Sequence, residues 1–143
     1  MMIRQRIIEA ARAWVGTPYQ HQASCRGAGS DCLGLIRGVW RDLYGAEPEQ
    51  APPYAMDWAE ADTTELMRDA ARRHLREIGV ADAGPGDVLM FRLIRSGPAR
   101  HAGILSEPGQ IIHACSGHAV REEALGPWGR RRAYAFRFPA LEI

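Results

Sequence analysis

Cys32 stands between a polar, glycine-rich loop and an apolar segment that has the spacing of a helix. The apolar residues of this segment recur every three or four positions: Leu35, Ile36, Val39, Trp40 and Leu43. This pattern predicts a buried helix from about Asp31 to Tyr44, with Ser30 or Asp31 as its N-cap and Gly45 at its end. Cys32 would then lie in the first turn, where unpaired backbone N–H groups favour an anion, and such a position lowers a thiol pKa to roughly 3.5–7.5. The thiolate is the reactive form, although position alone is equally compatible with a buried structural cysteine.

His101 and His113 are the residues that could serve such a thiol, and they fall on adjacent strands of one predicted hairpin. A loop with an odd number of residues would place them directly opposite each other, with their Cβ atoms about 4.5–5.5 Å apart. A two-residue loop at Glu107 and Pro108 would instead place them on opposite faces of the sheet. Proline is unfavourable in the second position of so tight a turn, which favours the longer loops.

A thiol nucleophile needs a neighbouring base, and usually a third group that orients the base. We therefore predict that Cys32 attacks an amide carbonyl, that His101 takes its proton and later protonates the leaving amine, and that His113 holds the His101 ring. The backbone N–H of Cys32 is the predicted oxyanion donor. Taken singly, His101 could cap a strand and His113 could be a core histidine with its hydrogen bonds satisfied.

The elements that must position these residues follow an α+β pattern within one predicted domain, residues 1–143. A first helix begins near Ile3 and ends at Gly16, and a third helix is predicted from Thr63 or Thr64 to Ile78. The second half of the chain predicts a meander of antiparallel strands. These strands cover residues 88–93, 101–105, 110–115 and 133–138.

Composition excludes several classes of function. A net charge of +1 argues against a broad nucleic-acid surface, and three cysteines are too few for a disulfide framework. No stretch has the apolar length of a signal peptide or a membrane span, so we expect a protein made in the cytoplasm without a signal peptide and without membrane insertion. The sequence gives no reason to expect a cofactor.

Five segments together resemble the NlpC/P60 family of papain-like cell-wall cysteine peptidases, in the family's order and over nearly the whole chain. The segments cover residues 13–19, 31–35, 85–91, 101–104 and 111–114. The resemblance implies a papain-like fold with the cysteine helix on a small antiparallel sheet, and Cys32, His101 and His113 as the catalytic residues. It also implies cleavage of peptidoglycan stem peptides, most often between γ-D-glutamate and a diamino acid.

Tyr19 and Asp31 match family positions near the substrate pocket, so the resemblance implies that they bind substrate. The Asp31 carboxylate could pair with the free amine of a stem peptide, or it could serve only as the N-cap. Leu33 departs from the family, which commonly has serine after the cysteine.

The compact form resembles the wall peptidases carried in the tails of phages and gene transfer agents, so tail proteins are the expected partners. Candidate contact residues for such partners are Trp58, Trp128 and Arg130–Arg132, although the arginines could be only a solvated face. Alternative interpretations are a cytosolic enzyme that recycles wall peptides, an idle structural tail component, and an amidase or acyltransferase. A further alternative is a zinc site at Cys32, His101 and His113.

Overall fold

The computed structural model describes residues 3–48 and 65–139, which form three α-helices and two antiparallel sheets. The helices are α1 (Ile3–Arg12), α2 (Cys32–Tyr44) and α3 (Leu66–His74). The strands are β1 (Ser24–Cys25), β2 (Gly29–Ser30), β3 (Arg76–Ile78), β4 (Val88–Arg92), β5 (Ala99–Glu107), β6 (Gln110–His113), β7 (Arg121–Ala124) and β8 (Arg132–Arg137). The main sheet has six strands in the order β3-β8-β4-β5-β6-β7, and β1 pairs with β2 in a small hairpin. The predicted α+β class with an antiparallel sheet is confirmed.

One face of the main sheet forms the principal core with α1 and α2. Trp14 and Leu35 are fully buried in this core, and Ala102 and Ile112 face it from β5 and β6. Gly38 lets the two helical segments approach closely, since a Cβ atom there would lie 1.9 Å from the Trp14 ring.

The opposite face of the sheet carries a smaller apolar cluster. Phe91, Leu105 and Ile111 form its buried part, and Trp128 packs against it. Two short 3₁₀ segments, Val80–Asp82 and Gly126–Arg131, supply partly buried side chains to this cluster. The connections from β3 to β4 and from β7 to β8 therefore cover the second face.

The third predicted helix is shorter in the structure, and its second half is a strand. The helix ends at His74, Leu75 is extended, and β3 pairs with β8 and forms one edge of the main sheet. The prediction was wrong here because Leu75 and Ile78 also fit an edge strand, and pairing with β3 satisfies backbone groups of β8 that would otherwise lie unpaired at the edge of the sheet. The predicted caps Thr63 and Thr64 lie outside the described residues.

The β5–β6 hairpin combines a two-residue turn with a bulge. Glu107 pairs with Gln110 across the turn, but Leu105 pairs with Ile111, so Ser106 is an extra residue in β5. His113 consequently pairs with Gly103, and His101 lies two residues further along the same face. The predicted direct pairing of the two histidines is therefore wrong, whereas their predicted placement on one face is confirmed.

Strand β7 was not predicted. It pairs with β6, with Ile111 opposite Glu123 and His113 opposite Arg121. Its sequence, Arg-Glu-Glu-Ala, has no apolar alternation, so no local signal marked it as a strand. No helix among the described residues has the length and apolar character that crossing a membrane requires.

Candidate active site

Asp31 caps α2, and this places Cys32 in the first helical turn as predicted. The Asp31 carboxylate accepts a hydrogen bond from the Gly34 N–H at 2.8 Å and another from the Gln22 N–H at 2.7 Å. The residue is buried, and His21 Nδ1 lies 3.9 Å from its Oδ2 atom. Its carboxylate thus holds the preceding loop against the head of the helix, and the N-cap role is confirmed.

The loop before the helix is held by the β1–β2 hairpin rather than being irregular. Gly34 makes this packing possible, because a Cβ atom there would lie 1.9 Å from the Ala23 carbonyl oxygen. Ser24 Oγ donates to the Gly34 carbonyl at 2.6 Å, and Tyr19 forms a β-bridge with Ser30. These contacts bring Tyr19 beside the loop that ends at Cys32.

Cys32 meets β5 where that strand extends beyond β6. The backbone groups of Leu105 bond to the β4 side, and alternation along the strand turns the Ala102 N–H toward β6. The β5–β6 pairing begins only at Gly103, so Ala102 has no partner residue on β6. The Ala102 N–H instead donates a hydrogen bond to the Cys32 sulfur, as does the Leu33 N–H. The thiol therefore lies against the residue that directly follows His101.

The two histidines form a hydrogen-bonded pair that continues to a carboxylate. Nε2 of His101 lies 2.8 Å from Nδ1 of His113, and Nε2 of His113 lies 2.6 Å from Oε2 of Glu123. Both rings are buried, and Arg121 holds the same Glu123 oxygen at 3.0 Å. Glu123 was not among the predicted residues because it lies on the unpredicted strand β7.

These two hydrogen bonds determine which nitrogen of each neutral histidine ring carries the proton. An ionised carboxylate only accepts hydrogen bonds, so His113 must donate through Nε2 and keep its lone pair on Nδ1. That lone pair accepts from the Nε2–H of His101, which leaves the His101 lone pair on Nδ1. Nδ1 of His101 is therefore the basic atom of the pair.

Aromatic rings enclose the base. The Trp128 ring stacks on His101 with a centroid distance of 4.6 Å and a tilt of 29°. The Phe91 ring lies on the same face of the sheet as His101, with its centroid 5.7 Å from that of the His101 ring. Trp128 also meets His113 edge-on at 5.8 Å. Trp128 thus lines this site, and its predicted contact with a partner protein stays a prediction.

Burial holds both reacting groups in their neutral forms. Burial, together with the Asp31 charge, raises the pKa of the Cys32 thiol to about 12, and the two backbone donors offset this only in part. Burial and the neighbouring His113 lower the pKa of His101 to about 3. The predicted lowering of the thiol pKa is therefore wrong, because desolvation of the sulfur outweighs the helix terminus and its N–H groups.

Cys115 lines the same site, just beyond the end of β6. Its sulfur lies 3.7 Å from His101 Nε2 and 3.4 Å from His113 Nδ1. Among the residues that the structure describes, the one close group of metal-binding atoms is therefore His101, His113 and Cys115, with Cys115 in the place that the zinc alternative gave to Cys32. Cys25, Cys32 and Cys115 are all free thiols.

Tyr19 borders the thiol side of the site. Burial and the neighbouring acidic groups of Cys32, Asp31 and Cys115 raise the pKa of Tyr19 to about 12, so its hydroxyl stays protonated and can donate a hydrogen bond. Contact of Tyr19 and Asp31 with a substrate stays a prediction.

The arginine run lies elsewhere, on the rim of a cleft. Arg130, Arg131 and Arg132 are exposed and line it together with Arg92, Leu93 and Arg95. Arg131 donates to the Leu93 carbonyl at 2.7 Å and Arg132 to the Gly129 carbonyl at 2.8 Å. Trp58, the other predicted contact residue, lies outside the described residues.

Two curated proteins are similar in sequence to this chain. The chain is 26% identical over 115 residues to "Probable endopeptidase NlpC" of Escherichia coli K12, covering 80% of this chain and 63% of that protein. It is 25% identical over 140 residues to "Gamma-DL-glutamyl hydrolase" of Bacillus subtilis 168, covering 96% of this chain and 30% of that protein. The chain thus spans less than two thirds of either curated relative.

Solved structures show the same fold. The NlpC/p60 domain of the peptidoglycan hydrolase SagA superposes with a TM-score of 0.68 at 24% identity, covering 94% of this chain and 98% of that domain. An NlpC/P60 family protein from Bacillus cereus superposes with a TM-score of 0.69 at 18% identity, covering 95% of this chain and 40% of that protein. The NlpC/P60 family model matches residues 16–134, and the chain belongs to this family.

Proposed function

We propose that the protein is a cysteine endopeptidase that hydrolyses peptidoglycan stem peptides, with Cys32 as nucleophile and His101 as general base. The observation that carries the proposal is the series of hydrogen bonds from Glu123 through His113 to His101. The Cys32 thiol lies beside it and accepts a hydrogen bond from the backbone N–H of Ala102. A base with its lone pair directed by two neighbours is what thiol activation requires.

The first half of the reaction forms the bond between sulfur and carbonyl carbon, breaks the C–N bond, and passes one proton from the thiol through His101 to the leaving amine. The Cys32 proton moves to His101 Nδ1 as the sulfur attacks the carbonyl carbon of the peptide. Negative charge develops on the carbonyl oxygen, and the Cys32 backbone N–H at the helix terminus is the proposed donor to it. The His101 imidazolium then gives its proton to the leaving amine, and the acyl group remains on the sulfur.

The second half returns the enzyme to its starting state. A water molecule loses a proton to His101 Nδ1 and attacks the thioester, and the thiol leaves with that proton. While His101 is positively charged, its Nε2–H donates to His113, and the negative charge of Glu123 stabilises the charged pair. The thiol and imidazole are neutral at rest, so ionisation is coupled to the attack rather than completed beforehand.

We propose that the scissile bond joins γ-D-glutamate to a diamino acid. The curated relative from Bacillus subtilis is named as a gamma-DL-glutamyl hydrolase, which supports a γ-glutamyl bond. Tyr19 and Asp31 lie beside the nucleophile, where a phenol hydroxyl and a carboxylate can meet the polar groups and free amine of a stem peptide. Leu33 leaves the position after the nucleophile without the hydroxyl common in the family.

Digestion of purified peptidoglycan, with mass spectrometry of the products, tests the activity and the bond. The wild-type chain should release fragments ending in γ-D-glutamate under reducing conditions, and Cys32→Ser should release none. Cys25→Ser is the matched control, because Cys25 is exposed and outside the site, and it should retain the activity. No release by the wild type would support an idle structural protein, and release of the intact stem peptide would support an amidase.

We further propose that the protein acts from the tail of a phage or gene transfer agent, after assembly in the cytoplasm. The exposed arginine cleft offers a basic surface that an acidic tail protein could bind. Purified particles should contain the chain, and Arg130→Glu with Arg131→Glu should remove it from them without loss of hydrolysis in solution. Its absence from wild-type particles would instead support a cytosolic enzyme of wall-peptide recycling.

A further inference from the structure

We infer that His101, His113 and Cys115 form a binding site for Zn²⁺ that inhibits the enzyme. The three candidate ligand atoms are His101 Nε2, His113 Nδ1 and Cys115 Sγ, separated by 2.8, 3.7 and 3.4 Å. Zn–N and Zn–S bonds in a tetrahedral site place neighbouring ligand atoms roughly 3.3–3.6 Å apart. Both sulfur–nitrogen distances fit this closely. The two ring nitrogens would separate by roughly 0.5 Å, and both rings would turn toward Cys115, to admit the ion.

The surroundings of His113 support the same assignment. A histidine that binds a metal through one nitrogen usually donates its other N–H to a carboxylate, which fixes the ring. His113 would bind through Nδ1, and its Nε2 already lies 2.6 Å from Glu123 Oε2. Imidazole nitrogen and thiolate sulfur are ligands that Zn²⁺ prefers, and a fourth position remains for water. Cys115 is half-buried, so the ion can enter from its side.

Zinc at this site would disable the base without touching Cys32. The ion takes the lone pair of His101 Nε2, so the ring proton moves from Nε2 to Nδ1. Nδ1 then carries a hydrogen and cannot accept the Cys32 proton. Cys115 loses its thiol proton to solvent, so each Zn²⁺ that binds releases one proton. The binding half of the inference is independent of the proposed function, and the inhibitory half rests on it.

Binding can be measured without activity, using Co²⁺ as a spectroscopic substitute. The reduced chain with Cys25→Ser and Cys32→Ser keeps Cys115 as its only thiol. Co²⁺ should give this variant a thiolate-to-cobalt charge-transfer band, which Zn²⁺ then removes. Adding Cys115→Ser should abolish the band. A band that is missing from the double variant, or that survives the added change, would overturn the site.

A second pair of variants guards against misfolding of the Cys115 variant. Glu123→Gln should weaken Zn²⁺ binding about 10- to 100-fold, as loss of such an outer partner does in metal sites. Glu122→Gln is the matched control, since Glu122 pairs with Arg12 on the other side of the strand, and it should leave the affinity unchanged. Equal affinity in both variants would contradict the geometry.

Inhibition is then compared within each chain, as the rate with Zn²⁺ divided by its own metal-free rate. Wild type should lose nearly all activity at Zn²⁺ concentrations that saturate the site, and Cys115→Ser should need at least about 100-fold more Zn²⁺ for the same loss. Zinc binding without inhibition would reject the inhibitory half while leaving the site. A wild-type chain inactive in the absence of metal would instead reject the proposed function.

Discussion

Oε2 of Glu123 lies 2.6 Å from Nε2 of His113, and this contact determines where the protons of the histidine pair reside. The carboxylate stays ionised although burial opposes it, because His113 and Arg121 hold the pKa of Glu123 below its ordinary value. It therefore requires an Nε2–H on His113, and through the 2.8 Å contact it leaves the lone pair of His101 on Nδ1. Glu123 on the edge strand β7 thus determines which nitrogen of His101, two strands away on β5, is basic.

Removing this carboxylate should slow the chemical step. A hydrogen bond to a charged group contributes about 1.5–3 kcal/mol, so we expect Glu123→Ala to lower kcat about 10- to 100-fold. KM should be unchanged, because Glu123 acts through the histidines rather than on the substrate. Glu123→Gln should recover part of the loss, since an amide oxygen can still accept from His113.

Glu122→Gln is the control for this effect, measured with the same peptide substrate. It removes a charge from the adjacent residue but leaves the histidine pair intact, so its kcat should match the wild type. A Glu123→Ala chain with wild-type kcat would show that the carboxylate does not orient the base.

The alkylation of Cys32 should rise steadily with pH. Burial raises the pKa of this thiol to about 12, so the thiolate fraction grows through the neutral range. We expect the iodoacetamide rate at Cys32 to rise roughly tenfold per pH unit from about pH 6 to pH 9. Mass spectrometry of the modified peptides measures it, with exposed Cys25 of the same chain as the internal reference. A rate that is already constant below neutral pH would mean a thiolate–imidazolium pair at rest.

The buried base should make the fold sensitive to mild acid. Burial and His113 lower the pKa of folded His101 to about 3, whereas an unfolded histidine titrates near 6.5. Below about pH 6.5 the unfolded chain binds a proton that the folded chain does not, so the free energy of unfolding falls as pH falls. Above that pH the full stability is present.

Well below pH 6.5, His101 alone should lower the free energy of unfolding by about 1.4 kcal/mol per pH unit. Urea unfolding at pH 7.0 and pH 5.5 measures the onset of this loss before most carboxylates titrate. Between these two pH values the His101 contribution should fall by about 1.3 kcal/mol, and His101→Gln should remove about that difference. An unchanged slope in this variant would show that His101 is not held neutral by the fold.

Gly38 of α2 lies so close to Trp14 that the position should not accept a methyl group. Gly38→Ala would raise helix propensity, yet its Cβ would lie 1.9 Å from the Trp14 ring. We expect a net loss of about 1–3 kcal/mol in the free energy of unfolding, measured by urea denaturation. Gly129→Ala makes the same change where no atom lies within 4 Å, and it should be close to neutral.

The local pattern of the sequence was sufficient for the head of α2. Apolar spacing and the capping residue Asp31 predicted the helix and the position of Cys32, because both depend on residues within a few turns of each other. The same reasoning failed for Leu75 and Ile78, whose apolar side chains suit a helix or an edge strand, and only pairing with β8 decided between them.

The geometry of the histidine pair depended on a feature with no local signal. A two-residue turn at Pro108 and Gly109 in an unbulged hairpin would have placed His113 opposite Ile104, on the face away from His101. The extra residue Ser106 shifts the register by one and returns both rings to one face. Bulges arise from the packing of the whole sheet. The sequence therefore predicted that the two histidines interact, but not that they lie diagonally rather than directly opposite each other.

By itself, the sequence therefore determined the α+β class, the family motifs and the three residue types that the proposed chemistry needs. Tertiary structure alone decided that Glu123 and Cys115 join them, and that the thiol and imidazole rest in neutral form. The physical reason is that ionisation depends on desolvation and on charges brought from distant strands. A helix terminus can be recognised in a short segment, whereas burial is a property of the assembled fold.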